Sequence, residues 1–144
     1  MESEILERVL RDLLSVEQML VVLDSSGAVG EMHSDGTVAP RFGESWATIE
    51  SGDWHLHLDM KAVAGVQFVE ADDHGGSIPK LYYVRFSDAD DGTVIRFYFP
   101  SPWLDDDEKP TEFQPDRLKL FEEFRDRYVG RGGIVFARRA PSAS

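Results

Sequence analysis

The sequence predicts an α+β fold: a large antiparallel β-sheet with an N-terminal and a C-terminal helix packed against it. Three observations predict it. Apolar residues recur at helical spacing at both ends of the chain, short β-rich runs broken by turn residues fill the middle, and one pair of runs has the makings of a hairpin. At 144 residues, 42% of them hydrophobic and with nine Phe, four Tyr and three Trp, the chain can bury about two thirds of its unfolded surface in one core. A single domain is therefore expected over residues 1–137, followed by a flexible tail at 138–144.

The first helix is expected from Glu2 to Leu14, where Ile5, Leu6, Val9, Leu10, Leu13 and Leu14 form an apolar stripe opposite Glu4, Glu7, Arg8, Arg11 and Asp12. From Met19 the period changes. Met19 to Leu23 and Ala28 to His33 read as strands, separated by Asp24-Ser25-Ser26-Gly27 and closed by Ser34-Asp35-Gly36. Ser45 to Glu50, Trp54 to Met60 and Val66 to Ala71 follow, with Lys61 to Gly65 as a short connection. Ile78 to Ser87 and Thr93 to Pro100 form the hairpin, around Asp88-Ala89-Asp90-Asp91-Gly92, with Gly92 expected to supply the positive φ of the loop. A loop runs to Gln114. Pro115 then opens a helix with Leu118, Phe121, Phe124 and Tyr128 on one stripe, and Gly130 ends it. Ile134 to Phe136 is a last short strand.

Composition excludes several kinds of chemistry and partner. The chain has no cysteine, which removes disulfides, thiolate metal sites, iron–sulfur clusters and cysteine nucleophiles together. A formal charge of −12 repels polyanions, so neither nucleic acid nor an anionic membrane surface is expected as a partner. With no secretory or membrane-spanning apolar run at either end, a cytoplasmic address is the economical expectation. The acidic runs at Asp72-Asp73, Asp88 to Asp91 and Asp105 to Glu108 read as solvated turns, because they lack the alternating ligands, glycine and distal glutamate of a calcium loop. Serine-hydrolase, phosphate-loop and dinucleotide-binding motifs are absent, so the motifs lean against an enzyme, and a metal-dependent one built on His55, His57 and Asp59 stays open.

Two histidine-bearing segments stand out. In Trp54-His55-Leu56-His57-Leu58-Asp59-Met60 strict alternation places His55, His57 and Asp59 on one strand face. Imidazole and carboxylate suit zinc, iron or nickel, with His33 and His74 the remaining histidines to complete a cluster; the alternative is a polar strand face. His33 ends a strand just before the Asp35-Gly36 turn, where a side chain is held by a rigid element yet stays reachable.

The order and spacing of Gly27-Ala28-Val29-Gly30-Glu31-Met32-His33-Ser34-Asp35-Gly36 and Trp54-His55-Leu56-His57-Leu58 resemble the haem-utilisation proteins of the HemS/ChuX/HutX type. In that family a short glycine-led strand ends in a histidine, and an apolar-x-Leu-His-Leu strand lies about twenty residues on. The likeness continues through Val66-Gln67-Phe68-Val69 and the hairpin Leu81 to Tyr98, covering the chain from about residue 20 to residue 130. Two departures are visible: where the family's aromatic strand leaves through a Tyr-Gly-x-Arg-like segment, this chain has Tyr98-Phe99-Pro100-Ser101-Pro102-Trp103, and Glu31 and Asp35 flank His33 with charge that disfavours a dianionic ligand.

The resemblance implies a HemS/ChuX-like sheet and a cytoplasmic protein that binds haem for its utilisation or trafficking. It implies His33 as the axial iron ligand, the aromatic strands including Tyr98 as walls for the porphyrin, and His57 as a structural or wall residue. Haem propionates need cations, and the candidates are Arg41, Lys61, Arg85 and Arg96. Single-domain members of the family often pair, so a homodimer is implied as well. The alternative is the same fold without haem ligation, serving as a dimeric interaction module or taking another small apolar ligand.

Overall fold

A computed structural model describes residues 1–73, 75 and 77–139. Helix α1 (Ser3–Leu14) leads into strands β1 (Glu17–Asp24), β2 (Val29–Asp35), β3 (Arg41–Phe42), β4 (Trp46–Glu50) and β5 (His55–Asp59). A single 3₁₀ turn at Met60–Ala62 precedes β6 (Gly65–Asp72), β7 (Lys80–Ser87) and β8 (Thr93–Tyr98), and α2 (Pro115–Tyr128) and β9 (Val135–Arg139) complete the chain.

The strands form two sheets: six strands in the order β2-β1-β8-β7-β6-β9, and three in the order β3-β4-β5. All pairings are antiparallel except that of β9, which runs parallel to β6. The fold class is the expected one, with the sheet mixed at one edge. Parallel neighbours need a crossover between them, and α2 lies on the path that returns the chain to β6. The two-residue strand β3 has no counterpart in the sequence reading, being too short to show a period. Arg138 and Arg139, expected in the tail, extend β9, and residues 140–144 lie outside the described residues.

One core lies between the six-stranded sheet, the two helices and the apolar face of the small sheet. Leu6, Val9, Leu10, Leu13 and Leu14 of α1 are buried in it, as the helical stripe requires. Alternation sends Met19, Val21, Val84, Phe86, Ile95 and Phe97 to the same side. Helix α2 contributes Phe121, whose ring lies 5.1 Å from Tyr82 and 5.3 Å from Phe99. The Phe99-Pro100 departure has a physical reason here: Phe99 leaves the strand to fill the space under α2, 95% buried, while its N–H donates to the Tyr82 carbonyl at 2.9 Å.

The acidic runs at Asp88 to Asp91 and Asp105 to Glu108 are turns, as expected, and their carboxylates organise the backbone, whereas Asp72 is the last residue of β6. Asp88 accepts from the N–H groups of Asp90 and Gly92, and Asp105 from those of Asp107 and Lys109. The positive φ of the β7–β8 loop belongs to Asp91, at 63°, and not to Gly92. Gly92 is required for another reason, since a Cβ there would lie 2.8 Å from a carboxylate oxygen of Asp88. Gly130, with φ 96°, ends α2 in the left-handed conformation that glycine favours.

Candidate ligand cleft on the outer face of the large sheet

The face of the large sheet turned away from the core is also apolar in its middle. Register places residues of successive strands in rows across it. One row runs His33, Leu20, Tyr98, Tyr83, Val69 from β2 through β1, β8 and β7 to β6; the next runs Glu31, Val22, Arg96, Arg85, Gln67. Val69, Ala71 and Tyr83 are buried on this side, packed by Leu81 and Tyr98. The Tyr83 and Tyr98 rings are 4.8 Å apart.

A cleft of about 420 Å³ opens at one end of these rows, within the range of small-ligand sites. Its floor is Leu20 and Val22 of β1, Val29 and Glu31 of β2, and Arg96 and Tyr98 of β8. Leu81 and Tyr82 of β7 bound it on one side, and Ser101 and Leu104 of the loop after β8 overhang it. That loop is pinned, because the Leu104 carbonyl accepts from the Gln114 amide at 2.7 Å and from the Arg117 guanidinium at 2.8 Å. Burial pushes the phenols of Tyr82 and Tyr98 above the ordinary tyrosine value, so both remain neutral hydroxyls.

His33 is not among the residues that line this cleft; it lies on the same sheet face, one strand beyond Leu20. It pairs across the ladder with Leu20, which lines the floor, and lies two strands from Tyr98, roughly 10 Å away on one sheet face. Its side chain is 46% exposed, and Nε2 is 3.5 Å from a carboxylate oxygen of Glu108. Its neighbour Ser34 faces inward and is buried, with its hydroxyl donating to the Leu14 carbonyl at 2.6 Å. The His33 carbonyl accepts from the Trp54 indole at 3.1 Å. The backbone on both sides of the imidazole is thereby tied to α1 and to the approach of β5.

Of the cations considered for an anionic ligand, the structure brings Arg96 into the cleft, 3.6 Å from Asp24. Arg85 shares the sheet face but is consumed by its own hairpin: it donates to Thr93 at 2.7 Å, to Gln67 at 2.9 Å and to both the carboxylate and the carbonyl of Asp91. Arg41 lies on the small sheet, paired with Glu50 at 2.8 Å, and Lys61 is exposed in the 3₁₀ turn. Neither lines the cleft. Lys80, which sequence reasoning did not single out, does line it and pairs with Asp72 at 2.8 Å. Gln18, Ser101 and Leu104 were likewise not singled out, because nothing in their own sequence context brings them to this face.

The histidines of β5 lie elsewhere. His55 and His57 are exposed on the small sheet with ring centroids 5.7 Å apart. His57 Nδ1 is 3.2 Å from the Thr48 hydroxyl, and Asp59 accepts from the Lys61 N–H at 3.0 Å. Among the described residues no group of three or more histidines or carboxylates is placed to hold a metal ion. His74 lies outside the described residues.

The fold and the cleft define an α+β sheet domain with an apolar, tyrosine-walled cleft on its outer face. A protein-family model matches residues 7–128, and the chain shares its fold with ChuX. Protein AGR_C_4470 from Agrobacterium tumefaciens has a similar structure, with TM-score 0.63 at 18% identity over 88% of this chain and 66% of that one. So does the haem-binding protein ChuX, with TM-score 0.64 at 8% identity over 83% and 70%. Holo-PhuS, a haem-binding protein from Pseudomonas aeruginosa, gives TM-score 0.63 at 14% identity over 86% of this chain and 33% of its own. The chain thus spans just under two thirds of the Agrobacterium protein and a third of PhuS. These identities establish a shared fold. No curated protein matches the sequence itself.

Proposed function

We propose that the protein binds haem in this cleft, with His33 as axial ligand to the iron, and serves haem trafficking in the cytoplasm as a homodimer. The observation that carries the reading is the placement of His33, an accessible imidazole on a rigid strand, in one row with the apolar floor of the cleft. ChuX and PhuS, which share the fold, are haem-binding proteins. The residues fit the group. A macrocycle needs apolar walls, which Leu20, Val22, Leu81 and Tyr98 provide, and burial of about 25 cal/mol per Å² of apolar surface supplies much of the affinity. Bound haem would supply a Lewis-acidic iron to the imidazole. The Glu108 carboxylate lies 3.5 Å from Nε2 and would have to swing aside for that nitrogen to meet the iron. Arg96 is the cation for a propionate, released from Asp24. No described helix is long and apolar enough to cross a membrane.

The test is a haemin titration followed by absorbance on the native protein, on His33→Ala and on His57→Ala. A saturable one-to-one Soret shift that only His33→Ala abolishes is expected. An unsaturable shift in the native protein, or an equal loss in both variants, overturns the assignment. A second reading has a specific observation behind it: Glu108 already engages His33, and the cleft cations Arg96 and Lys80 are already paired. On that reading the cleft takes a small apolar ligand without iron ligation, and metal-free protoporphyrin would bind as tightly as haemin.

A further inference from the structure

Three described residues other than glycine have φ in the left-handed region: Gln18 at 70°, Asp91 at 63° and Glu108 at 60°. Asp91 is explained by its turn, where Asp tolerates that conformation and both its carboxylate and carbonyl hold Arg85. Gln18 has no such local reason. It occupies the third position of a turn in which the Met19 N–H donates to the Val16 carbonyl at 3.2 Å, a position where positive φ favours Gly or Asn.

The turn coincides with a slip in register. Glu17 pairs with Asp35 and Leu20 with His33, so Gln18 and Met19 together oppose Ser34 alone. Such a bulge re-aims side chains. Met19 goes fully into the core, and Gln18 turns to the opposite face, half-buried, where it lines the cleft. Its carboxamide makes no hydrogen bond to the protein among the described residues. Glycine would satisfy this backbone without strain, and no hydrogen bond within the described residues accounts for glutamine here.

We propose that Gln18 is a specificity-determining residue: its amide N–H₂ donates a hydrogen bond to a carboxylate of an apolar ligand in the cleft. The surroundings favour a neutral donor at this point. The two cations of the cleft are already shared with Asp24 and Asp72, and Asp24 and Glu31 line the same walls. Arg96 can meet a ligand carboxylate only by leaving Asp24, whereas the unpartnered amide of Gln18 can donate to a second carboxylate without breaking an ion pair. The cleft then selects an amphipathic acid over its neutral ester.

This inference rests on the haem reading only for its probes. Native protein, Gln18→Gly and Gln18→Glu would be titrated with haemin and with haemin dimethyl ester, whose carboxylates are masked, and melted thermally without ligand. Expected are a melting temperature for Gln18→Gly at or above the native one and an affinity for haemin lowered about tenfold, the scale of one hydrogen bond to a charged group. Gln18→Glu should weaken haemin further by placing like charges together, and neither change should alter binding of the dimethyl ester. Equal weakening of both probes would make Gln18 a structural residue and overturn the inference, as would unchanged haemin binding in Gln18→Gly. Failure of the native protein to bind either probe would overturn the haem reading and this inference with it.

Discussion

His33 points out of the fold because Ser34 points into it. On a strand, successive side chains take opposite faces, and Ser34 is fixed inward by its bond to the Leu14 carbonyl and by accepting the Gly36 N–H at 3.1 Å. Gly36, with φ 85°, passes so close to the α1–β1 connection that a Cβ would lie 3.2 Å from the Glu17 nitrogen and 3.3 Å from the Ser15 carbonyl oxygen. Ser34→Ala leaves a buried carbonyl without its donor and should lower stability by about 1–3 kcal/mol. Chemical denaturation checks this, and haemin affinity should fall less than in His33→Ala; unchanged stability would detach Ser34 from the orientation of His33. At this scale the sequence was partly legible. His33 before an Asp-Gly turn marks itself by position, whereas the partner of Ser34 lies twenty residues away and leaves no local trace. Gln18 was invisible because glutamine carries no turn signal. Arg85 looked like a free cation because its four acceptors are set by the ladder and by the conformation of the β7–β8 loop.

Elements were most legible where a period is long. The stripes of α1 and α2 and the β7–β8 hairpin were read directly, but the division into two sheets was not. It depends on the 3₁₀ turn after β5, capped by Asp59, which redirects the chain before β6; a single turn of helix has no period to read. The β7–β8 hairpin is held by a guanidinium that is almost fully buried and a carboxylate that is almost fully exposed. Hydrogen bonding and charge from Arg85 hold the Asp91 carboxyl below its ordinary value of 3.8. The depressed pKa makes the linkage run one way: the contribution to stability is complete above the ordinary carboxylate range and disappears as pH falls through the lower folded-state value. Asp91→Asn keeps a side chain that tolerates positive φ but removes the charge. It should be less stable than the native protein at neutral pH, and the difference should close in acid, where Asp91 itself is protonated. Denaturant melts of both proteins from neutral pH down to about pH 2 measure it; a difference independent of pH would mean that the charge of Asp91 contributes nothing.

The two ends of the chain are joined by side chains at the end of α2 that reach α1. The Tyr128 hydroxyl donates to the Asp12 carboxylate, which also accepts from Arg127 at 3.1 Å, and the Tyr128 ring stacks on Phe68 of β6. One buried phenol thus joins both helices and the sheet, and its titration reports on the whole fold. Burial first, then the hydrogen bond to Asp12, pushes its pKa from 10.0 up to about 12. The folded protein therefore holds a proton that the unfolded chain gives up near pH 10. Its contribution to stability is complete below that value, declines as pH rises, and is lost above about 12. Tyr82 and Tyr98, also raised by burial, add slope of the same sign. Urea midpoints should accordingly fall between about pH 9 and pH 12. Tyr128→Phe keeps the ring on Phe68 but has no proton to lose. It should be less stable at neutral pH by roughly 1 kcal/mol and fall less steeply as the solution is made alkaline. Parallel alkaline limbs in the two proteins would show that the helices are joined by apolar packing alone, with the Tyr128 to Asp12 bond adding no net stability.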